Sequence, residues 1–450
     1  MLKTFFATFA IGLLRGSIFS SSVAAETSPA DTAQRPNIVV ILSDDQAWGD
    51  YSFMGHEAIE TPRLDQLAKE SLTFTRGYVP DSLCRPSLTT IISGLYPHEH
   101  GVVGNDPPWA GMQAGMARPS HTQAEYVKNR EAYLQHIDAT VTMPDFLGPL
   151  GYRSMQTGKW WEGHYSRGGF TDGMTQGDFT RSGRHGDAGL EIGRQGMQPI
   201  EDFFDSCATD ATPFYLWYAP FLPHTPHNPP TRLLEKYKAK TTSVPVAKYW
   251  AMCEWFDETC GQLLDSLDRR GLAENTILMY VTDNGWINRV DASRYAPRSK
   301  RSPNEGGTRT PIMIRWPGHV TPKLNETQLA SSIDLVPTAL AAVGIDVPEN
   351  LSGIDLLDDS AVQSRRAVFG EILEHDIQSM DDPSASLLYR WVIDGNFKLI
   401  DPSIRIPDAS PELYDLINDP NEQLDLADQH PDKVQTLQKQ LDAWWKPPAA

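Results

Sequence analysis

Four largely apolar runs of strand length recur along the chain: Ile38 to Leu42, Phe214 to Ala219, Thr276 to Thr282 and Ile312 to Ile314. Runs of this kind, rich in β-branched and aromatic residues, have no wet face and predict strands buried on both sides. Helical patterns lie between them, over Pro62 to Ser71 and along the stripe Val246, Tyr249, Trp250, Cys253, Phe256, Cys260, Leu263, Leu264, Leu267. Strands alternating with helices predict an α/β fold with a mainly parallel central sheet flanked by helices. Sites in such sheets form beyond the carboxyl ends of the strands. Three of the runs pass straight into polar residues: Ser43-Asp44-Asp45, Pro223-His224-Thr225-Pro226 and Asp283-Asn284-Gly285. These clusters are expected to meet on one sheet edge.

Beyond about Val347 the pattern shifts to shorter strands, Arg366 to Gly370, Leu388 to Ile393 and Phe397 to Ile400, and a last helix near Asp432 to Trp444. This predicts a main domain over residues 26–347 and a smaller C-terminal α+β subdomain, 348–450, with an antiparallel sheet. Residues 104–140, polar and proline-bearing, and 161–196, glycine-rich with Arg167, Arg181, Arg184, His185 and Arg194, read as long surface loops that shape a cleft.

Residues 1–25 have the form of a secretory signal: Lys3, an apolar run from Phe5 to Leu14, and the small-residue site Val23-Ala24-Ala25. The run is too short to span a bilayer, so a periplasmic or secreted protein without a membrane anchor is expected. Removing that segment takes away Lys3 and Arg15 and no acid, leaving 37 basic against 58 acidic residues. An excess of this sign argues against nucleic acid as a partner. Local charge still decides a site, and between residues 289 and 309 lie Arg289, Arg294, Arg298, Lys300, Arg301 and Arg309 against only Asp291 and Glu305. That run is either a solvated loop or a rim that receives an anion. Four cysteines are too few for a disulfide scaffold. Cys253 and Cys260 on one helix stand about 10.5 Å apart, too far to bridge, and read as core residues.

Asp44, Asp45, Asp283 and Asn284 offer carboxylate and amide oxygens at neighbouring strand ends, a set suited to Ca²⁺ or Mg²⁺ rather than to zinc or copper. Helix capping and turn formation are the alternative uses of the same residue types. Cys84-Arg85-Pro86-Ser87 precedes a short apolar helix that Gly94 stops. A group at position 84 faces free N–H groups and the positive end of the helix dipole, which favour an anion. As a bare cysteine it is a candidate thiolate.

Taken in order, these segments resemble the type I, formylglycine-dependent sulfatases of the alkaline phosphatase superfamily. Pro36-Asn37-Ile38 through Asp44-Asp45 resembles the family's first metal-binding strand. Cys84-Arg85-Pro86-Ser87 with Gly94-Leu95-Tyr96-Pro97 resembles its nucleophile segment, and Gly158-Lys159-Trp160 and Pro223-His224 its G-K-W and P-H elements. Thr282-Asp283-Asn284-Gly285 resembles the second metal segment. Lys300 precedes Glu305-Gly306-Gly307 as in K-x-x-x-x-E-G-G, and Glu412-Leu413-Tyr414-Asp415-Leu416 is similar to the C-terminal signature.

The resemblance implies an alkaline-phosphatase-like fold and hydrolysis of a sulfate monoester, with a sulfated carbohydrate as substrate. It further implies that Cys84 is converted by a maturation enzyme to formylglycine, whose hydrate attacks sulfur with one hydroxyl and expels sulfate through the other. Ca²⁺ is implied at Asp44, Asp45, Asp283, Asn284 and residue 84, sulfate contacts at Lys159 and Lys300, and a proton donor at His224. Two positions depart from the pattern: Leu88 stands where C-x-P-S-R has arginine, and Trp161 where a histidine follows G-K-W. The first bears on recognition by the maturation enzyme, and the second removes a catalytic contact that His164 or His185 is expected to restore. Arg298 is a further candidate for substrate contact, and Trp160, Trp161, Tyr165, Phe170 and Phe179 are candidates for stacking on sugar. A phosphate or phosphonate monoester hydrolase of the same superfamily, and a sulfated-glycan-binding protein without catalysis, are the competing readings.

Overall fold

The computed structural model describes residues 35–112, 116 and 123–448; the signal-like segment 1–25 lies outside the described residues. One sheet is built from β1 (Asn37–Ser43), β2 (Leu72–Tyr78), β3 (Arg153–Gly158), β4 (Asp172–Gly173), β5 (Phe214–Ala219), β6 (Thr276–Thr282), β7 (Arg309–Arg315), β8 (Lys323–Asn325) and β9 (Ala330–Ser331). Its order is β4-β3-β5-β1-β6-β7-β2-β8, with β9 also pairing with β2. β7 alone runs against its neighbours. The expected mainly parallel α/β architecture is therefore present.

The alternation of side chains explains why the central strands are apolar throughout. Val40, Leu42, Trp217, Met279 and Val281 point into one core, shared with Leu88, Ile91 and Ile92 of α1 (Cys84–Ser93). Val39, Ile41, Leu216, Tyr218, Leu278 and Tyr280 point into the opposite core, shared with Met252, Phe256, Cys260 and Leu263 of α3 (Val244–Arg269). Each face buries its own set, so neither parity tolerates polar residues. Cys253 and Cys260 are buried and free, as their helical spacing required.

Five strands of this sheet, β2, β3, β4, β8 and β9, were not anticipated, and one loop proves to be partly helical. Residues 104–140 include α2 (Ala124–Asp138), whose buried face is Tyr126, Arg130, Tyr133, Leu134 and Ile137. The spacing is helical, but an arginine occupies the stripe and hides it. The 161–196 segment is a chain of short 3₁₀ turns, among them Tyr165–Gly168 and Asp187–Glu191.

A second sheet of four antiparallel strands, β10 (Ala367–Leu373), β11 (Leu387–Asp394), β12 (Phe397–Pro402) and β13 (Glu412–Asp415), is backed by the helix Pro431–Trp444. Leu437 and Leu441 of that helix pack on Val392, Leu399 and Leu413. Trp391 and Tyr78 meet in the cluster that joins this sheet to β2.

Candidate active site

Parallel strands that start together end together. Ser43 lies opposite Thr282, and Gly158 opposite Ala219. The residues that follow β1, β3, β5 and β6 therefore emerge on one edge, as expected for the three polar clusters. Backbone bonds sew these ends together: Asp283 N–H donates to Ser43 O, Asp44 N–H to Leu222 O and Lys159 N–H to Ala219 O, at 3.0, 3.0 and 2.7 Å. β2 runs in the same direction, so its exit through residues 79–83 delivers α1 to that edge. β7 runs the other way, so the segment before it, containing Lys300, arrives there too.

Gly158 makes the turn into Lys159 at φ 78°, and a Cβ there would stand 1.8 Å from the Ala219 carbonyl oxygen. No side chain fits between β3 and β5 at that point.

Asp44, Asp45, Asp283, Asn284, Cys84, Lys159 and Lys300 are all buried. Lys159 Nζ donates to Asp44 Oδ1 and, at 3.0 Å, to Asp283 Oδ2. Lys300 Nζ donates to Asp45 Oδ1 and, at 2.9 Å, to Cys84 Sγ. Asp283 Oδ1 accepts the Asp45 and Asn284 backbone N–H groups at 3.0 and 2.7 Å. Three carboxylates thus face two ammonium groups, a net charge of one negative. Burial pushes Asp44 well above the usual carboxylate range; Lys159 opposes this, while Asp283 and Asp45 add to it. Asp45 is held below that range because Lys300 and His224 overcome its burial.

Asp44 Oδ2, Asp45 Oδ2 and Asn284 Oδ1 are buried without a hydrogen-bond partner. Buried acceptors in that state are costly. A hard divalent cation satisfies oxygens of this kind and reverses the net charge, so the donor set fits Ca²⁺ or Mg²⁺. Ligand atoms of Asp44, Asp45, Cys84 and His224 all lie within 4.8 Å of one another, which brings residue 84 to the same centre.

Cys84 is the first residue of α1, and Leu83 is its N-cap. Burial pushes its thiol up to about 11 despite Lys159 and Lys300. At neutral pH a cysteine here stays protonated, which corrects the expectation of a thiolate. Burial likewise drives His224 well below its ordinary value, with Asp45 opposing and Lys159 and Lys300 reinforcing. Its Nδ1 faces the Thr225 carbonyl at 2.5 Å, and its Nε2 stands 3.5 Å from Asp45 Oδ2.

The cluster opens into a cavity of about 530 Å³. Cys84, Asp45, His224 and Lys300 line its inner end, and Ser293, Arg294, Tyr295 and Arg301 its outer rim. His185 reaches the cavity, its ring 4.5 Å from Trp161 and 6.3 Å from His224. His164 does not: its Nδ1 pairs with Ser166 Oγ at 2.8 Å in the 3₁₀ turn. Arg298 turns toward the Glu422 carbonyl. Trp160 and Phe170 are core residues 2% and 3% exposed, unable to stack on a sugar. Leu88 packs in the core beside Ile91 and Ile92.

Asn105, His375 and Trp286 complete the wall and were not anticipated. His375 comes from the loop after β10 and meets Asn105 across 270 positions of sequence. No local pattern encodes that meeting. Beneath it, Arg85 forms a buried two-bond pair with Glu162, at 2.7 and 2.6 Å, and its backbone N–H donates to Asn105 Oδ1 at 3.1 Å.

The family model described as "Sulfatase" matches residues 36–345, and one described as "N-sulphoglucosamine sulphohydrolase, C-terminal" matches 297–446. The chain is 27% identical over 377 residues to N-acetylgalactosamine-6-sulfatase of Rattus norvegicus, covering 73% of this chain and 66% of that protein. It therefore spans slightly less than two thirds of that relative. A sulfatase of Formosa agariphila is 25% identical over 528 residues, covering 96% of this chain and 92% of the relative. Among solved structures, Ps i-CgsB superposes with a TM-score of 0.71 at 21% identity, over 91% of this chain and 93% of that one. A phosphonate monoester hydrolase of Agrobacterium radiobacter superposes with a TM-score of 0.65 at 18% identity, over 91% and 95%.

Proposed function

The chain belongs to the sulfatase family, and from that premise we propose that it is an exported hydrolase releasing sulfate from a sulfated carbohydrate. The observation that carries this reading is Cys84 Sγ at 2.9 Å from Lys300 Nζ, at the first turn of α1 and beside the three unpartnered buried oxygens. In this reading residues 26–347 form the catalytic domain, and 348–450 a subdomain that contributes His375 to the cavity wall. Export rests on the form of residues 1–25; no helix among the described residues is long and apolar enough to cross a membrane.

Asp44, Asp45, Asp283 and Asn284 would hold Ca²⁺, with residue 84 beside them. The ion would polarise the sulfuryl oxygens and favour an ionised nucleophile. A maturation enzyme would convert Cys84 to formylglycine, whose hydrate supplies a hydroxyl for attack and a second for release of sulfate. The protonated thiol of Cys84 is a poor nucleophile, which supports the need for that conversion.

The remaining roles fall to the chain's own side chains. Lys159 and Lys300, held charged by the carboxylates around them, bind the oxygens of the sulfate. His224 presents Nε2 to the cavity and would give a proton to the departing oxygen from its charged form, which burial, Lys159 and Lys300 oppose and Asp45 favours. His185 supplies the imidazole contact that Trp161 cannot make.

The test joins peptide mass spectrometry across residue 84, in protein from its export pathway, to turnover of matched nitrophenyl sulfate and nitrophenyl phosphate with calcium and with a chelator. Formylglycine with calcium-dependent preference for sulfate supports the reading. Preference for phosphate moves it to the phosphate or phosphonate hydrolases, which share the fold. Sulfated-glycan binding with an unmodified Cys84 and no sulfate release favours a binding protein. An unchanged rate in His185→Ala removes that residue's role.

A further inference from the structure

The outer rim of the cavity carries cations that the inner chemistry does not use. Of the basic run between residues 289 and 309, Arg289 is paired with Asp291, Arg298 with the Glu422 carbonyl, and Arg309 with the Thr75 carbonyl and the Trp48 ring. Lys300 belongs to the inner site. Arg294 and Arg301 remain, and both line the cavity. Arg294 has no side-chain hydrogen-bond or ion-pair partner among the described residues. Arg301 Nε has none, its Nη1 lies 3.4 Å from the Tyr295 hydroxyl, and its nearest carboxylate oxygen is Glu374 Oε2 at 4.0 Å.

Among the cavity-lining residues Asp45 is the only acid, and it lies at the inner end already paired with Lys300. An unpaired guanidinium, Arg294, beside one held only by long contacts to Tyr295 and Glu374, Arg301, is unexpected at one mouth in a chain of net charge −19, where acids outnumber bases. The cavity, at about 530 Å³, also exceeds the needs of a sulfate group and suits a larger ligand. A neighbouring depression of about 370 Å³ shares Arg301 and His375 with it, and there Arg405 stands beside the acids Glu374 and Asp376.

We infer that the substrate carries a second anionic group on the leaving-group side of the scissile ester, received by Arg294 and Arg301. The inference rests on the sulfate-ester reading and narrows it to polyanionic saccharides. Guanidinium groups suit the task because their fork of donors matches the oxygens of sulfate or carboxylate. Their place at the rim, away from the reacting atoms, makes them specificity-determining rather than catalytic.

Equilibrium binding to the calcium-loaded protein tests this without requiring turnover. The probes are alkane-1,ω-disulfonates of two to six carbons and the monosulfonates of equal length, each displaced with inorganic sulfate; 4-sulfobutanoate reports whether a carboxylate serves at the outer position. The best-spaced disulfonate is expected to bind about tenfold tighter than its monosulfonate. Arg294→Gln with Arg301→Gln should erase that advantage and leave monosulfonate affinity within about twofold, while the paired Arg→Lys variants keep part of the advantage.

Equal affinity for mono- and disulfonates at every length, both displaced by inorganic sulfate, overturns the inference and leaves the sulfate site standing. An advantage that survives the double glutamine variant overturns it as well, because the second sulfonate is then held elsewhere. Failure of every sulfonate and of inorganic sulfate to bind removes the sulfate reading and this inference with it. Should the double variant lose monosulfonate binding, Arg294→Gln alone decides: a loss of about threefold in the disulfonate advantage supports the inference, and an unchanged advantage refutes it.

Discussion

Replacing Glu162 with glutamine should destabilise the protein more than any ordinary surface change, because it strips the counter-ion from a buried guanidinium. Arg85 is 0% exposed, bonds Glu162 through two nitrogens, and packs 4.1 Å over the Tyr133 ring. Its one other acceptor is the Asn105 carbonyl at 3.3 Å. Arg130 is buried nearby, bonded to the Trp161 carbonyl, with Nε and Nη1 unpartnered; burial and then the charge of Arg85 push it down to about 10. Glu162→Gln therefore leaves Arg85 without its counter-ion and removes one of the charges that offset the burial of Arg130. Removing one member of a buried ion pair costs about 3–5 kcal/mol. The entropy of unfolding is about 2.1 cal/mol/K per residue, or about 0.9 kcal/mol/K for 450 residues, so Tm should fall by about 3–5 °C. Scanning calorimetry measures the fall. The double variant Arg85→Met/Glu162→Leu removes both charges and should recover most of it, since well-packed apolar pairs often match buried ion pairs. A Tm change below about 1 °C in Glu162→Gln, or a double variant worse than the single, would refute the reasoning.

Other consequences can be checked separately. Gly158→Ala should lower kcat/KM by about 10²-fold or more through displacement of Lys159, since its Cβ meets the Ala219 carbonyl oxygen at 1.8 Å; a rate within about threefold of the parent contradicts this. In protein that retains the thiol, alkylation of Cys84 should be slower than that of a free thiol at pH 7.5 and rise about tenfold per pH unit toward 11, as mass-spectrometric rate measurements would show. Asp257 is buried, and its pKa is raised to about 7 although it accepts the Leu64 and Arg63 N–H groups. The folded state therefore holds this proton more tightly than the unfolded chain, so the stability it contributes is full below about pH 4 and is lost as pH rises through 7. Asp257→Asn should flatten the decline of Tm between pH 4.5 and 8; an unchanged slope would show that other groups set it.

The strands that hold the reacting edge were legible because β1, β5 and β6 are apolar at both parities, and the polar residues after them had to converge once the strands ran parallel. The start of α1 at residue 84 was equally legible from Pro86 and Gly94. β2 and β3 escaped notice because Thr73, Thr75, Arg76, Ser154, Gln156 and Thr157 break their apolar character. Those side chains are buried only because distant partners satisfy them: Arg76 donates to the Thr327 and Gly395 carbonyls, and Thr157 to the Trp217 carbonyl. Buried polar groups of this sort are affordable only after the tertiary bonds exist, so no local pattern announces them.

By itself, then, the sequence determined the parallel core, the edge on which the site lies, and the residue types gathered there, because hydrophobic period and strand direction are local properties. Only the tertiary structure decided what the site can do with them. It buried Cys84 deeply enough to keep its thiol protonated, chose His185 over His164 for the cavity, and turned Arg298 away. It also left Arg294 unpaired at the rim, beside an Arg301 held only by long contacts to Tyr295 and Glu374. Those outcomes depend on desolvation and on contacts between segments far apart in the chain, which exist only once the chain has folded.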